Sequence, residues 1–239
     1  MLKQYRSLLL FFIPLLCCLL FFFPSMFPIM KHFFLQTSTV PKKYTVLIDA
    51  GHGGFDPGKV GVDQSLEKDI NLAIALQTRE FLIQNDIEVI LTRDSDIALS
   101  YETDTNKKKA DMKRRKEQIL SSNADVSISI HQNSFSSSRQ KGAQVFYYVH
   151  SNDSKQFAHI MQEQLIQTLD PSNHRLEKSN DSYYLLKDTP CPMLIIECGF
   201  LSNYEEAAKL NSKEYQTQVA WAIHLGVLSY LNRYITPKS

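Results

Sequence analysis

From residue 44 onward, short apolar runs alternate with longer stretches in which apolar positions recur every three or four residues. Val46-Leu47-Ile48 is too short for a helix and is stopped by a turn rich in glycine, so it predicts a buried strand. Residues 65–69 open a helix in which Ile70, Ala73, Ile74, Leu76, Phe81 and Leu82 keep helical spacing. A second strand follows at 87–91. Residues 101–109 are polar and lysine-rich and read as a mobile solvated loop, and 110–122 as a basic helix with Met112, Ile119 and Leu120 inward. Residues 125–131 alternate strictly, with Val126, Ile128 and Ile130 on one face and Ser127 and Ser129 on the other, which predicts a strand ending at His131. Strands at 143–149, 183–186 and 193–196, and helices at 151–169, 203–210 and 212–231, complete the pattern. This alternation predicts an α/β fold in three layers, a mostly parallel central sheet of about six strands with helices on both faces.

Ahead of this pattern stands a different kind of segment. Lys3 and Arg6 precede an apolar block from Leu8 to Phe23, interrupted by Pro14 and followed by Pro24 and Pro28. Residues 1–30 therefore read as a signal or membrane anchor, and the lack of a small-x-small cleavage pattern favours an uncleaved anchor. Residues 31–43 read as a tether, and 44–235 as one catalytic domain.

Composition narrows the class. With 44% hydrophobic and 21% charged residues, the domain can bury a core without disulfides. A strand between Cys191 and Cys198 would carry them apart, so both are expected to remain thiols. A net charge of +1 gives no long-range basic field, which argues against a nucleic-acid partner. A monomeric domain is expected.

The chemistry lies where apolar runs stop. His52 sits among Gly51, Gly53 and Gly54 after the first strand, His131 closes the alternating strand, and Glu197 closes the run Met193-Leu194-Ile195-Ile196. Strand ends are where open α/β sheets bind ligands, and a carboxylate ending so apolar a run is costly without a partner. Glu67 lies in the first turn of its helix, where complementing the helix dipole is a sufficient role for an acid taken alone. Two histidines and a carboxylate with a fourth position open to water form a recurrent catalytic zinc set, offered here by His52, Glu67 and His131. Such an ion polarises a carbonyl and acidifies water, and Glu197 would move the proton. The neighbouring Arg114 and Arg115 are candidates for binding an anionic substrate, with at least one of them expected instead on a solvated helix face.

At these positions the chain resembles the zinc-dependent N-acetylmuramoyl-L-alanine amidases of bacterial cell walls. The matching pieces are LIDAGHGG, SLEKDINLAIAL, LTRDSD, ADVSISIHQNS and MLIIECGFLSNYEE, spanning about residues 44–231. The resemblance implies zinc on His52, Glu67 and His131 and Glu197 as catalytic acid/base; Arg93, Arg115 and Asn133 are the candidate substrate-binding residues. It implies peptidoglycan as substrate, cleaved at the amide between the lactyl group of N-acetylmuramic acid and L-alanine, on the cell-wall side of the membrane. The anchor, the bare catalytic domain and ECGFLSN are most similar to the sporulation subgroup, which prepares spore cortex for muramic δ-lactam formation. Whether an activator protein takes part is left open by the residues. Gln132, where many relatives carry a small residue, and the lysines of 106–109 depart from the family pattern. Two rival readings are a zinc carboxypeptidase, whose close His-x-x-Glu pair is missing around His52, and a membrane-tethered scaffold, which would need none of the four site residues.

Overall fold

The structure, a computed structural model, describes residues 44–236; the segments expected to be anchor and tether lie outside the described residues. Among the described residues, no helix is long and apolar enough to cross a membrane. The elements run β1 (Tyr44–Ala50), α1 (Glu67–Ile83), β2 (Ile87–Leu91), α2 (Lys107–Ser121), β3 (Val126–Asn133), β4 (Gln144–Tyr148), α3 (Asn152–Leu169), β5 (Lys178–Asn180), a 3-10 turn (Tyr184–Leu186), β6 (Met193–Phe200), α4 (Tyr204–Leu210) and α5 (Lys213–Tyr234). They build a six-stranded sheet in the order β2-β1-β3-β6-β4-β5, parallel except where β4 runs against β6.

Alternate residues of the central strands feed two cores. Val46, Ile48, Val126, Ile128, Ile130, Leu194 and Ile196 pack beneath α1, α3, α4 and α5. Each such fully buried side chain contributes roughly 1.5–3 kcal/mol, so this face carries most of the stability. The opposite face is thinner. Leu47, Ile119, Phe146, Leu185, Leu186, Met193 and Ile195 meet under α2 and the 3-10 turn.

Several sequence expectations need correction. Residues 183–186 form no strand: Tyr183 caps the 3-10 turn at 184–186, in which Leu185 and Leu186 tuck under α2. The sixth strand is instead β5, a polar Lys-Ser-Asn edge paired with β4, which has no apolar signature to read. In α2 only part of the inward face was foreseen: Ile119 is buried, Leu120 is 47% exposed, and Asp111, Arg115 and Lys116 face inward. The helix also starts earlier, at Lys107, with the Asn106 side chain accepting from the Lys109 N–H as its cap. The preceding segment is tied down: Arg114 forks onto both oxygens of Asp104 and lies 4.1 Å over the Tyr101 ring. Cys191 and Cys198 remain thiols as expected, Cys198 fully buried.

Candidate active site

Four elements deliver the site to one end of the sheet. β1 runs out at Ala50, and His52 follows with a φ of +63°, a left-handed conformation that costs a non-glycine residue strain. The loop tolerates it because two guanidinium groups clamp the carbonyls around it. Arg93 donates to the carbonyls of Ala50, Gly51 and Lys68, and Arg115 to those of Ala50 and His52. Arg115 also meets Asp49 at 2.7 Å and Asp111 at 2.6 Å, with both it and Asp49 shut off from solvent. Burial opposes ionisation of Asp49, but Arg115, the Ser129 hydroxyl, His131 and the Thr92 hydroxyl outweigh it and bring the carboxyl to about 2.

Arg93 is 3% exposed and Arg115 1%, and their N–H groups are spent on main-chain carbonyls and carboxylates. Both hold the main chain beneath the site, and Arg115 also lines the site cavity. Asn133 sits at the end of β3, its side chain accepting from the Ser134 N–H and its carbonyl from Leu201. It lies outside the lining of the site cavity.

His131 and Glu197 are register partners on adjacent strands, and the ladder is irregular just beyond His131, which re-aims the strand end. Both strands run past the points predicted for their ends, to Asn133 and Phe200. Glu67 enters from the first turn of α1, which brings its carboxylate around the sheet edge. It is 1% exposed, so complementing the helix dipole is not its whole role. One oxygen, Oε2, accepts from the Lys59 N–H at 2.7 Å, and the other, Oε1, from the Gln132 N–H at 3.0 Å. The Gln132 side chain donates to Asn71, whose own amide donates to the Gly51 carbonyl, so Gln132 braces this corner from below.

The three groups converge closely. Glu67 lies 3.3 Å from His52 Nε2 and 3.0 Å from His131 Nδ1, and one ligand atom from each of the three falls within 4.8 Å of the others. His52 Nδ1 faces Asp56 at 3.0 Å. Glycine is required for this approach: a Cβ on Gly51 would stand 2.3 Å from His131 Cε1, and one on Gly58 2.6 Å from the Glu67 carboxylate. Burial disfavours charge on both Glu67 and His131, yet their contact wins, holding Glu67 well below the usual carboxylate range and His131 above the usual imidazole one.

Glu197 faces the same cavity of about 260 Å³ with His52, Glu67, His131 and Lys59. Its Oε2 is closed to solvent and has no hydrogen-bond partner among the described residues. Burial pushes its carboxyl up to about 7, with His131 pulling down and Glu67 pushing up. A carboxylate poised near neutrality beside a cluster of metal-type ligands is equipped to move protons. Sequence reasoning passed over both Asp56 and Asp49.

The model of the N-acetylmuramoyl-L-alanine amidase family known as Amidase_3 matches residues 46–229, which include all four of these groups. The chain belongs to this family. The germination-specific N-acetylmuramoyl-L-alanine amidase of Bacillus subtilis (strain 168) is 36% identical over 188 residues, 77% of this chain and 78% of that one. Among solved structures, the CwlD amidase of Clostridioides difficile, in complex with the GerS lipoprotein, aligns with a TM-score of 0.77 and 44% identity, covering 79% of this chain and 98% of the other. An N-acetylmuramoyl-L-alanine amidase from Clostridium difficile 630 aligns with a TM-score of 0.72 and 32% identity over 81% and 99%. The chain is thus an N-acetylmuramoyl-L-alanine amidase, a hydrolase of the germination subgroup, and the scaffold and carboxypeptidase readings fall away.

Proposed function

We propose that this amidase is zinc-dependent and cleaves peptidoglycan at the amide between the lactyl group of N-acetylmuramic acid and L-alanine, in the maturation of spore cortex. The observation that carries the reading is the donor set: two imidazole nitrogens and a carboxylate oxygen within 4.8 Å, with an acid/base carboxylate in the same cavity. The set fits zinc on chemical grounds. Nitrogen and oxygen donors suit the ion, three protein ligands leave a position open, and Asp56 on His52 Nδ1 is the outer carboxylate that fixes a metal-binding imidazole's orientation. Bound at His52, Glu67 and His131, zinc would polarise the scissile carbonyl and acidify water.

The chain's own residues supply the rest. Glu197, its Oε2 without a partner of its own, accepts the proton of the attacking water and delivers it to the leaving nitrogen of L-alanine. Arg115 and Arg93 keep the His52 loop from relaxing, so the ligands are held in place before substrate arrives. Peptidoglycan lies outside the cytoplasmic membrane, so the domain works on that side, held there by residues 1–30. Likeness to an amidase solved with a lipoprotein supports a lipoprotein partner for this chain too.

The test uses the full chain. Metal analysis should give one zinc per molecule, a chelator should abolish release of L-alanine-ended peptides from peptidoglycan, and zinc should restore it, with products read by mass spectrometry. Stoichiometric zinc in a His52→Ala, His131→Ala double variant, or activity that survives full metal removal, would overturn the assignment.

A further inference from the structure

The lysines at the start of α2 have no part in the chemistry above. The structure places them beside it. A groove of about 500 Å³ lined by Asn106, Lys108, Lys109, Met112, Lys113 and Tyr184 adjoins the site cavity, and Lys108, Met112 and Tyr184 line both. Its ionisable lining is lysine with a single tyrosine. Among the described residues, Lys108 meets Asp56 and Lys113 meets Glu117 at 3.5 Å, and both lysine side chains are about 70% exposed. Lys109 and Lys113 stand four residues apart, as do Lys108 and Met112, so they form two neighbouring rows along one helix face. The first turn of α2 holds three lysines and no acid, an arrangement that works against the helix dipole. That unfavourable clustering along a groove leading from the catalytic cavity fits an anionic ligand.

We propose that this groove is the subsite for the stem peptide, with Lys109 and Lys113 binding its free carboxylates. The inference rests on the amidase reading of the same site and names which side of the substrate lies where. The two sides differ in charge: the sugar ring beside the scissile amide is neutral, while the peptide beyond its first alanine carries carboxylates. The reach fits as well. Five residues of α-helix from Lys108 to Lys113 span about 8 Å, the length of two to three residues of extended peptide. The peptide backbone lies across Met112 and Tyr184, with its carboxylates toward the lysine rows.

The test compares a purified muropeptide with the same muropeptide after amidation of its peptide carboxylates. The full-length chain should prefer the acidic substrate through KM, and 0.5 M salt should erase the preference. A Lys109→Glu, Lys113→Glu variant should raise KM for the acidic substrate by roughly tenfold, the scale of two exposed ion pairs removed and reversed, with kcat kept. Its turnover of the amidated substrate should match the parent's. Calorimetry with the released stem peptide should show the same loss of affinity without turnover, and inorganic phosphate at equal concentration should not compete. Equal effects on both substrates, an unchanged KM, or equal competition by phosphate would overturn the subsite while leaving the amidase intact. No release of L-alanine-ended peptide by the parent chain would sink the amidase reading and the subsite with it.

Discussion

The buried pair of Asp49 and Arg115 is the most exacting place to test how this site is held. Replacing Arg115 by Met keeps most of the side-chain volume but leaves Asp49, fully buried, with only the hydroxyls of Ser129 at 2.5 Å and Thr92 at 2.7 Å as partners. Removing one partner of a buried ion pair costs about 3–5 kcal/mol, because the remaining charge is stranded. For a domain of this size, unfolding entropy near 2 cal/mol/K per residue converts that to a fall in Tm of about 8–12 °C. The pH dependence has a definite sign. The parent's Asp49 ionises at about 2 against an ordinary 3.8, so its contribution is complete above pH 3.8 and is lost as pH falls through 2. In Arg115→Met the carboxyl rises, so the deficit should be largest at neutral pH and shrink in acid. Adding Asp49→Asn should restore part of the stability, since no charge is then left unpaired. Thermal melts of parent, single and double variants at pH 4 and pH 7.5 measure all of this. A single variant as stable as the parent, or a double variant no better than the single, would refute the reasoning.

Three further variants carry expected outcomes. Glu197→Gln should keep zinc while release of L-alanine-ended peptide falls by on the order of a hundredfold or more. In metal-stripped protein the same variant should also lose a pH slope: the parent carboxyl, raised from 4.5 to about 7, makes folding less favourable as pH climbs through that interval, and an amide does not titrate. Asp56→Ala should weaken zinc binding by about ten- to a hundredfold in competition with a chromophoric chelator, with the fold unchanged by circular dichroism, because His52 Nδ1 loses its carboxylate. Gly51→Ala should abolish stoichiometric zinc and lower stability by about 1–3 kcal/mol, since a methyl 2.3 Å from His131 Cε1 must push the imbalance into the ring or the strand; full zinc occupancy in that variant would contradict the crowding.

Much of the layout was readable because it follows burial. The runs at β1, β3 and β6 announced strands, and each ends near a polar group that the fold brings to one edge, His52, His131 and Glu197. What could not be read is where polarity is structural. Ser127 and Ser129 alternate with isoleucines as a strand with one wet face would, yet both are fully buried. Ser129 donates to Asp49, and Asp49 binds Arg115 of α2, so the layer that looked like a solvent face is a sealed polar seam. The same seam explains the misreading of α2. A helix whose inward side mixes Asp111, Arg115 and Lys116 with Met112 and Ile119 has only a broken apolar stripe, and Leu120, the third apolar residue expected inward, turns outward.

That seam also explains why the chain accepts so much buried polarity at one end of the sheet. A wholly apolar layer under α2 would be easier to desolvate, but it would offer no donors to the carbonyls of residues 50 to 52, where β1 ends and the loop to α1 begins. Those carbonyls need N–H partners, and the guanidinium of Arg115 has enough to bind Asp49, Asp111 and two of them at once. A lysine in its place keeps the charge but offers a single nitrogen, so it cannot bridge the His52 carbonyl and both carboxylates together. Arg115→Lys should therefore recover much of the stability lost in Arg115→Met, because Asp49 regains a cation, and recover little of the zinc affinity, because the His52 loop stays unclamped. If zinc affinity returned in step with Tm, the guanidinium would be acting only as a counter-charge, and the positioning role assigned to it here would fail.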